Sequence, residues 1–209
     1  MIFHVTELYL RIMENIEEKI ISVAKEVFLE KGFDGASMSD IASRVGINRP
    51  TLHYYYRTKE KMFQAVFIPI IQSFIPRIQN VLIKGDMSFQ EKITIAIDIY
   101  LEMIIRNPYL PLFAIRELNR NAKEFVEAVK PLYMEEFLHK MSDLLLSAMK
   151  EGEINNVPLR VVFNTFYGLM MFPFLSKDLL FMEPDKTLED VIKEWKPYFV
   201  NQMIFLLCK

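Results

Sequence analysis

Between Arg44 and Lys61 the chain carries five bases, Arg44, Arg49, Arg57, Lys59 and Lys61, against one acid, Glu60. Interleaved with them stand Thr51, His53, Tyr54 and Tyr55, side chains that donate hydrogen bonds or stack. The whole chain has a formal charge of −2, so this excess is local rather than general. A local basic patch with hydrogen-bonding and aromatic side chains is the electrostatic footprint of a nucleic-acid site. Other chemistries find little support. No Ser/His/Asp set, paired carboxylates or glycine-rich phosphate loop stands out. One cysteine, Cys208, and three scattered histidines make no credible metal site. No catalytic residue, metal or cofactor is expected.

Two short helices must hold the basic patch. Ser37 and Asp40 have the spacing of an N-cap and its reciprocal acid. Ile41, Ala42 and Val45 give one apolar face, and Gly46 can take the left-handed conformation that stops a helix. Asn48 is a second N-cap candidate, and Pro50 sits in the first turn, where a missing N–H costs little. Leu52 and Tyr56 can point back into the core. The pattern is a helix-turn-helix. Arg49 opens its second helix, where an arginine can grip guanine O6 and N7 together. Pro50 offers an apolar contact to a thymine methyl, and Tyr54 a contact to sugar or phosphate.

Ser37, Ile41, Ala42, Gly46, Ile47, Asn48, Thr51, Leu52, His53, Tyr55, Tyr56, Lys59 and Glu60 match, with spacing kept throughout, the signature T-x-x-x-I-A-x-x-x-G-V-s-x-x-T-L-Y-x-[HY]-F-x-x-K-E. The stretch thereby resembles the N-terminal domain of the TetR/AcrR transcriptional regulators. The motif covers the first third of the chain; the rest resembles the family in length and helical pattern. The resemblance implies that Thr51, His53, Tyr55 and Lys59 hold phosphates, contacts that fix register without reading sequence. Ser39 falls where the family often places a base-contacting side chain. His53 departs from the usual Tyr, and Tyr56 replaces the usual Phe in the core. The resemblance also implies a homodimer whose last two long helices pair with their copies.

The 209 residues suffice for one or two domains with a real core. A 52% hydrophobic content, with 17 Phe and 13 Met, indicates a large apolar interior. A single cysteine fits a reducing cytosol, and no signal peptide is apparent. The longest uncharged run, Val161 to Ser176, falls short of the roughly 20 residues a membrane span needs. The reading is cytoplasmic, with no membrane partner.

No strand-period segment or internal repeat appears, so the fold class is all-α. An N-terminal three-helix helix-turn-helix domain is followed by a C-terminal helical domain for ligand binding and dimerisation. The expected boundaries are 1–13 for an extension, 14–62 for the DNA-binding domain and 63–209 for the body, with Met13 a second candidate start. A first helix spans Glu14 to Lys31, with Ile16, Ile20, Val23, Val27 and Phe28 on one face. Gly32 ends it. A helix from Lys59 links head to body and should kink or break at Pro69 and Pro76. Helices follow over Phe89 to Arg106, from Pro108 to about Leu118, and from Ala122 to Lys150 with an interruption at Pro131. Another runs from Pro158 to near Pro173. A loop at Glu183, Pro184 and Asp185 leads to the last, from about Thr187 to Leu207.

In the body, Tyr100, Met103, Phe113, Phe137, Met141, Tyr167 and Met171 are candidates for a ligand pocket. Such a pocket suits an apolar or aromatic effector, because flexible methionines adapt to shape. Phe163, Phe166, Met170, Trp195, Phe199 and Met203 are the candidate dimer interface, since both late helices carry more apolar residues than one buried stripe needs. These features together indicate a ligand-responsive regulator, most simply a repressor, binding palindromic double-stranded DNA as a homodimer. An architectural or cell-division-linked DNA binder without the switch is the alternative.

Overall fold

A computed structural model describes the backbone of residues 2–130, 134–176 and 186–209, and side chains from Asn15 onward except that of Glu124. Every regular element among these residues is helical. Pro131 and the loop at Glu183, Pro184 and Asp185 lie outside the described residues. The chain divides into two compact units, Met1–Ile70 with Ile115–Leu132, and Ile71–Ala114 with Tyr133–Lys209. The division therefore falls within a helix, not at residue 62, and a later segment belongs with the N-terminal one.

The first unit contains α1 (Ile2–Gly35), α2 (Met38–Val45), α3 (Arg49–Tyr55) and the start of α4 (Lys59–Leu82). It also holds most of α6 (Leu110–Val129). Ile20, Ala24, Val27 and Phe28 bury one stripe of α1, as the 3–4 spacing predicts. Four rings fill the centre: Phe28, Phe33, Phe63 and Phe67, with Phe63 edge-on to both Phe28 and Phe33 at centroid distances of 5.3 and 5.1 Å. Phe63 and Phe67 belong to α4, which explains why the head runs past residue 62.

Gly32 ends the long first stretch of α1, as the sequence indicates. It adopts φ 76°, ψ 176°, and the chain turns there before a last helical stretch to Gly35. That conformation is essentially open to glycine alone. The freed Phe33 N–H donates to Glu117 Oε2 on α6 at 2.9 Å. Next to it, Arg116 donates to the carbonyl oxygens of Phe28, Leu29 and Glu30, the closest at 2.7 Å. Arg120 pairs with Asp34. A buried glutamate and one arginine of α6, Glu117 and Arg116, thus satisfy the backbone groups that the break in α1 exposes.

The second unit holds the rest of α4, α5 (Phe89–Arg106), α7 (Met134–Glu151), α8 (Leu159–Leu175) and α9 (Leu188–Leu207). Full capping boxes start α5 at Ser88 with Glu91 and α9 at Thr187 with Asp190. α9 packs on α5 and α8, and α7 on α8. The end of α9 is clamped by Asn155, whose N–H donates to Leu207 O at 2.8 Å and whose side chain donates to Cys208 O at 2.9 Å.

Pro69 and Pro76 do not break α4, which is continuous from Lys59 to Leu82. Both prolines lie on its exposed side. The buried residues flanking them, Val66 and Phe67 in the first unit and Phe74, Ile75 and Ile78 in the second, hold the helix together through packing. Length and composition alone would let α4 cross a bilayer. Its apolar residues are instead those that build the two cores. Asn121 is the corresponding irregular point in α6, at φ −156°, ψ 81°.

Candidate nucleic-acid interface and apolar cavity

The helix-turn-helix is set by its caps. Ser37 Oγ accepts from Asp40 N–H at 3.1 Å, and Gly46 stands at φ 84° with its N–H on the Ala42 and Ser43 carbonyls. Asn48 Oδ1 accepts both the N–H and the hydroxyl of Thr51, at 2.8 and 2.7 Å. Leu52 is fully buried and pins α3 to the core. The Asp40 carboxyl is held below its ordinary range, first by Lys31 and then by Ser37.

On α3, Arg49, Pro50 and Tyr54 are exposed, and Thr51, His53 and Tyr55 are half-buried. Arg49 Nε donates to His53 Nε2 at 3.1 Å, and His53 Nδ1 faces Arg57 O at 3.0 Å. One tautomer satisfies both bonds: neutral, with the proton on Nδ1. His53 therefore steers Arg49, a role the sequence reading gave instead to phosphate contact. Tyr54 and Tyr55 meet edge to face at 5.5 Å. Ser39 is exposed on α2, beside the Lys31–Asp40 ion pair.

The basic excess is smaller than the sequence count. Arg44 pairs with Glu30 at 2.6 Å. Lys59 Nζ lies 4.5 Å from the Phe33 ring centroid and donates to Asp34 O at 3.4 Å. Arg57 and Lys61 are exposed with Arg49. Tyr56, expected in the core, is half-buried, and its hydroxyl donates to Glu17 Oε1 at 2.8 Å. Burial and then Glu17 push its pKa up.

The second unit contains a cavity of about 120 Å³ among α4, α5, α7, α8 and α9. Four of the seven candidate pocket residues line it: Tyr100, Phe137, Met141 and Tyr167. Met103 and Phe113 are buried elsewhere, and Met171, half-buried on α8, does not reach it. Phe163, Phe166 and Met203, expected at a dimer interface, line the cavity instead. Burial raises the Tyr100 and Tyr167 hydroxyl pKa values, so both stay neutral. Among the described residues Lys92 is the one charged side chain at the wall, and the sequence reading missed it. Its signal was a lysine in register with Phe89, Ile93 and Ala96.

Other interface candidates are spent inside the monomer. Met170, Phe199 and Met203 are 0, 7 and 3 % exposed and have no surface left to give a partner. Trp195 is half-buried, edge-on to Phe199. The exposed apolar side chains of the two late helices are others: Val161 and Phe172 on α8, and Tyr198 and Phe205 on α9, the last two 73 and 82 % exposed.

Residues 20–66 match the model of the bacterial regulatory proteins of the tetR family. The fatty acid metabolism regulator protein of Bacillus subtilis is 24% identical over 136 residues, 65% of this chain and 69% of that one. The negative transcriptional regulator IcaR of the biofilm operon icaADBC in Staphylococcus epidermidis is 25% identical over 150 residues, 69% and 79% of the two chains. Among solved structures, FadR of Bacillus subtilis in complex with stearoyl-CoA aligns over 90% of this chain and 97% of its own. Its TM-score is 0.65 at 19% identity, a likeness of fold.

Proposed function

Because the chain belongs to the TetR family of bacterial regulatory proteins, we propose that it is a cytoplasmic repressor controlled by a small apolar effector. It binds a two-fold operator as a homodimer and lets go when the effector fills the cavity of the second unit. One observation carries this reading: α4 begins with Lys59 at the candidate DNA face and ends with Phe74, Ile78 and Leu82 on the cavity wall. The same helix therefore belongs to both sites. An architectural DNA binder has no use for such a cavity.

The effector is an acyl chain. The wall is apolar almost throughout, and relatives are named for fatty acid metabolism and for a stearoyl-CoA complex. At about 120 Å³ the cavity is the size that holds benzene when empty space is cut into a core. A longer chain must spread the side chains around it, which Met134, Met141 and Met203 can do by changing rotamer. Such widening needs the effector to favour the released arrangement, and a swing from 99:1 to 1:99 takes about 5.5 kcal/mol of differential binding.

Dimerisation uses the exposed apolar residues of α8 and α9. Val161, Thr165, Gly168 and Phe172 recur at the spacing of one helical seam, with Gly168 open to close approach. Two copies then present their α3 helices to half-sites about 34–36 Å apart. The test is selection of an operator from random DNA, followed by binding with and without saturating long-chain acyl compounds. Release by such a compound, blunted by Met141→Trp, supports the switch. Unchanged binding with every compound overturns it in favour of the architectural reading.

A further inference from the structure

Lys92 stands on the wrong face of its helix for a lysine. Phe89, Ile93, Ala96 and Tyr100 surround it in register along α5, and all line the cavity. A half-buried lysine lays its methylene stem along apolar surface while its ammonium seeks water or a partner. No carboxylate among the described residues pairs with this one, although most lysines of α7 to α9 have such partners, Lys140 with Glu136 and Lys193 with Glu189 among them. The neighbouring Glu91 is committed to the Ser88 capping box, at 2.7 and 2.8 Å. Lys92 also lies in the first turns of α5, the positive end of the helix dipole, where a cation is disfavoured and an anion welcome. The helix dipole opposes the ammonium there, and an anion beside it offsets that field.

We infer that Lys92 reads the head of the effector, and that the effector is a long alkyl chain ending directly in one negative charge, as a free fatty acid does. This rests on the acyl-chain reading of the cavity and sharpens it. From Lys92 to Tyr100 the cavity face of α5 runs a little over two turns, ~12 Å at 1.5 Å per residue. A carboxylate at Lys92 thus sends its chain toward the Phe74, Tyr100 and Phe166 rings, which pack edge-on at 6.1 and 5.2 Å. A thioester places a neutral carbonyl at the position where a free acid places its charge. One lysine, with no second base at the wall among the described residues, matches a single carboxylate and not the several phosphate charges of a coenzyme head.

The experiment is calorimetric titration of the full-length protein with palmitate, hexadecanol and palmitoyl-CoA, repeated on Lys92→Met and Lys92→Arg. Lys92→Met keeps the stem that covers the wall and removes only the charge; circular dichroism checks its fold. The expected result is palmitate tighter than hexadecanol by about 10- to 100-fold in wild type, the range of a charge-assisted hydrogen bond. That preference disappears in Lys92→Met and returns in Lys92→Arg. Palmitate and hexadecanol binding alike in wild type would overturn the role of Lys92 while leaving the acyl-chain reading intact. Palmitoyl-CoA binding more tightly than palmitate, unaffected by Lys92→Met, would do the same. Failure of all three to bind would remove the acyl-chain reading and this proposal together.

Discussion

Gly32→Ala should damage the head far more than a typical surface substitution, through two separable effects. The first is backbone: φ 76°, ψ 176° lies in a region essentially closed to alanine, at a cost of about 1–3 kcal/mol. The second is a clash. A Cβ at residue 32 would stand 2.3 Å from Glu117 Oε1 and 3.2 Å from its carboxyl carbon, so the buried carboxylate must move. Glu117 is 3 % exposed, and its Oε2 is the acceptor for Phe33 N–H. Losing a buried bond to a charged group costs about 1.5–3 kcal/mol more. The total, about 2.5–6 kcal/mol, is a large part of the 5–15 kcal/mol that holds an ordinary domain together.

Thermal melting by circular dichroism reads the total, and hydrogen exchange at the Phe33 amide reads the local bond. The two effects separate in a double-mutant cycle with Glu117→Ala, which removes the obstacle. In that background Gly32→Ala should lose its clash component and keep only the backbone cost, a coupling of about 1.5–3 kcal/mol. Strict additivity of the two changes would refute the clasp, as would a Gly32→Ala variant within about 0.5 kcal/mol of wild type.

Four further outcomes follow from the same geometry. Arg49→Ala should cost about 1–3 kcal/mol of operator affinity and relax one base position, whereas Lys59→Ala should weaken all DNA alike and lower the salt slope by roughly one contact; quantitative footprinting across salt concentrations separates the two. Lys59→Ala should also lose the cation–π contact on Phe33, about 0.5–1 kcal/mol of stability in melting. Phe205→Glu or Phe172→Glu should yield monomers by light scattering, while Phe199→Glu, buried in its own chain, should unfold the body. The raised pKa of Tyr56 contributes stability that is complete below the ordinary tyrosine value near 10 and lost as pH rises above it, because the unfolded chain ionises first; Tyr56→Phe should flatten that alkaline slope in melting scans.

Local features were legible in the sequence because their physics is local. Ser37, Gly46, Asn48 and Pro50 fix caps and turn within four residues, so the helix-turn-helix could be read without any tertiary contact. The Ser88 and Thr187 caps have the same character. What resisted reading was allocation among several apolar faces. α8 is apolar nearly all round, and periodicity cannot say whether Phe166 meets a core, a cavity or a second copy. The structure gives Phe166 to the cavity, Met170 to the core and Phe172 to solvent. Glu117 was illegible for another reason. Its partner lies 84 residues away, and the break in α1 that creates the need exists only in the folded chain. Pro69 and Pro76 do not break α4 because packing on both sides of each outweighs intrinsic helix propensity.

The cost structure of the head bears on how an effector can act. Lys59 is not a free arm on the surface: its ammonium rests on Phe33, and Phe33 packs against Phe63 one turn along the same helix. Phe63 in turn packs on Phe28 and Phe67. Turning the start of α4 therefore moves Lys59, a candidate phosphate contact, and the centre of the head core as one body. Bending α4 within the head would open the four-ring cluster, and a buried aromatic lost in that way costs about 3–5 kcal/mol, nearly the whole differential binding an effector needs. A displacement that keeps the cluster closed avoids that cost. The clasp at Glu117 has the same consequence, since it ties the α6 segment to α1 by hydrogen bonds that would be left buried and unmade if it slipped. In the proposed switch, these constraints leave the fold of the head intact when the effector binds. Operator release should then proceed without loss of exchange protection at Phe33.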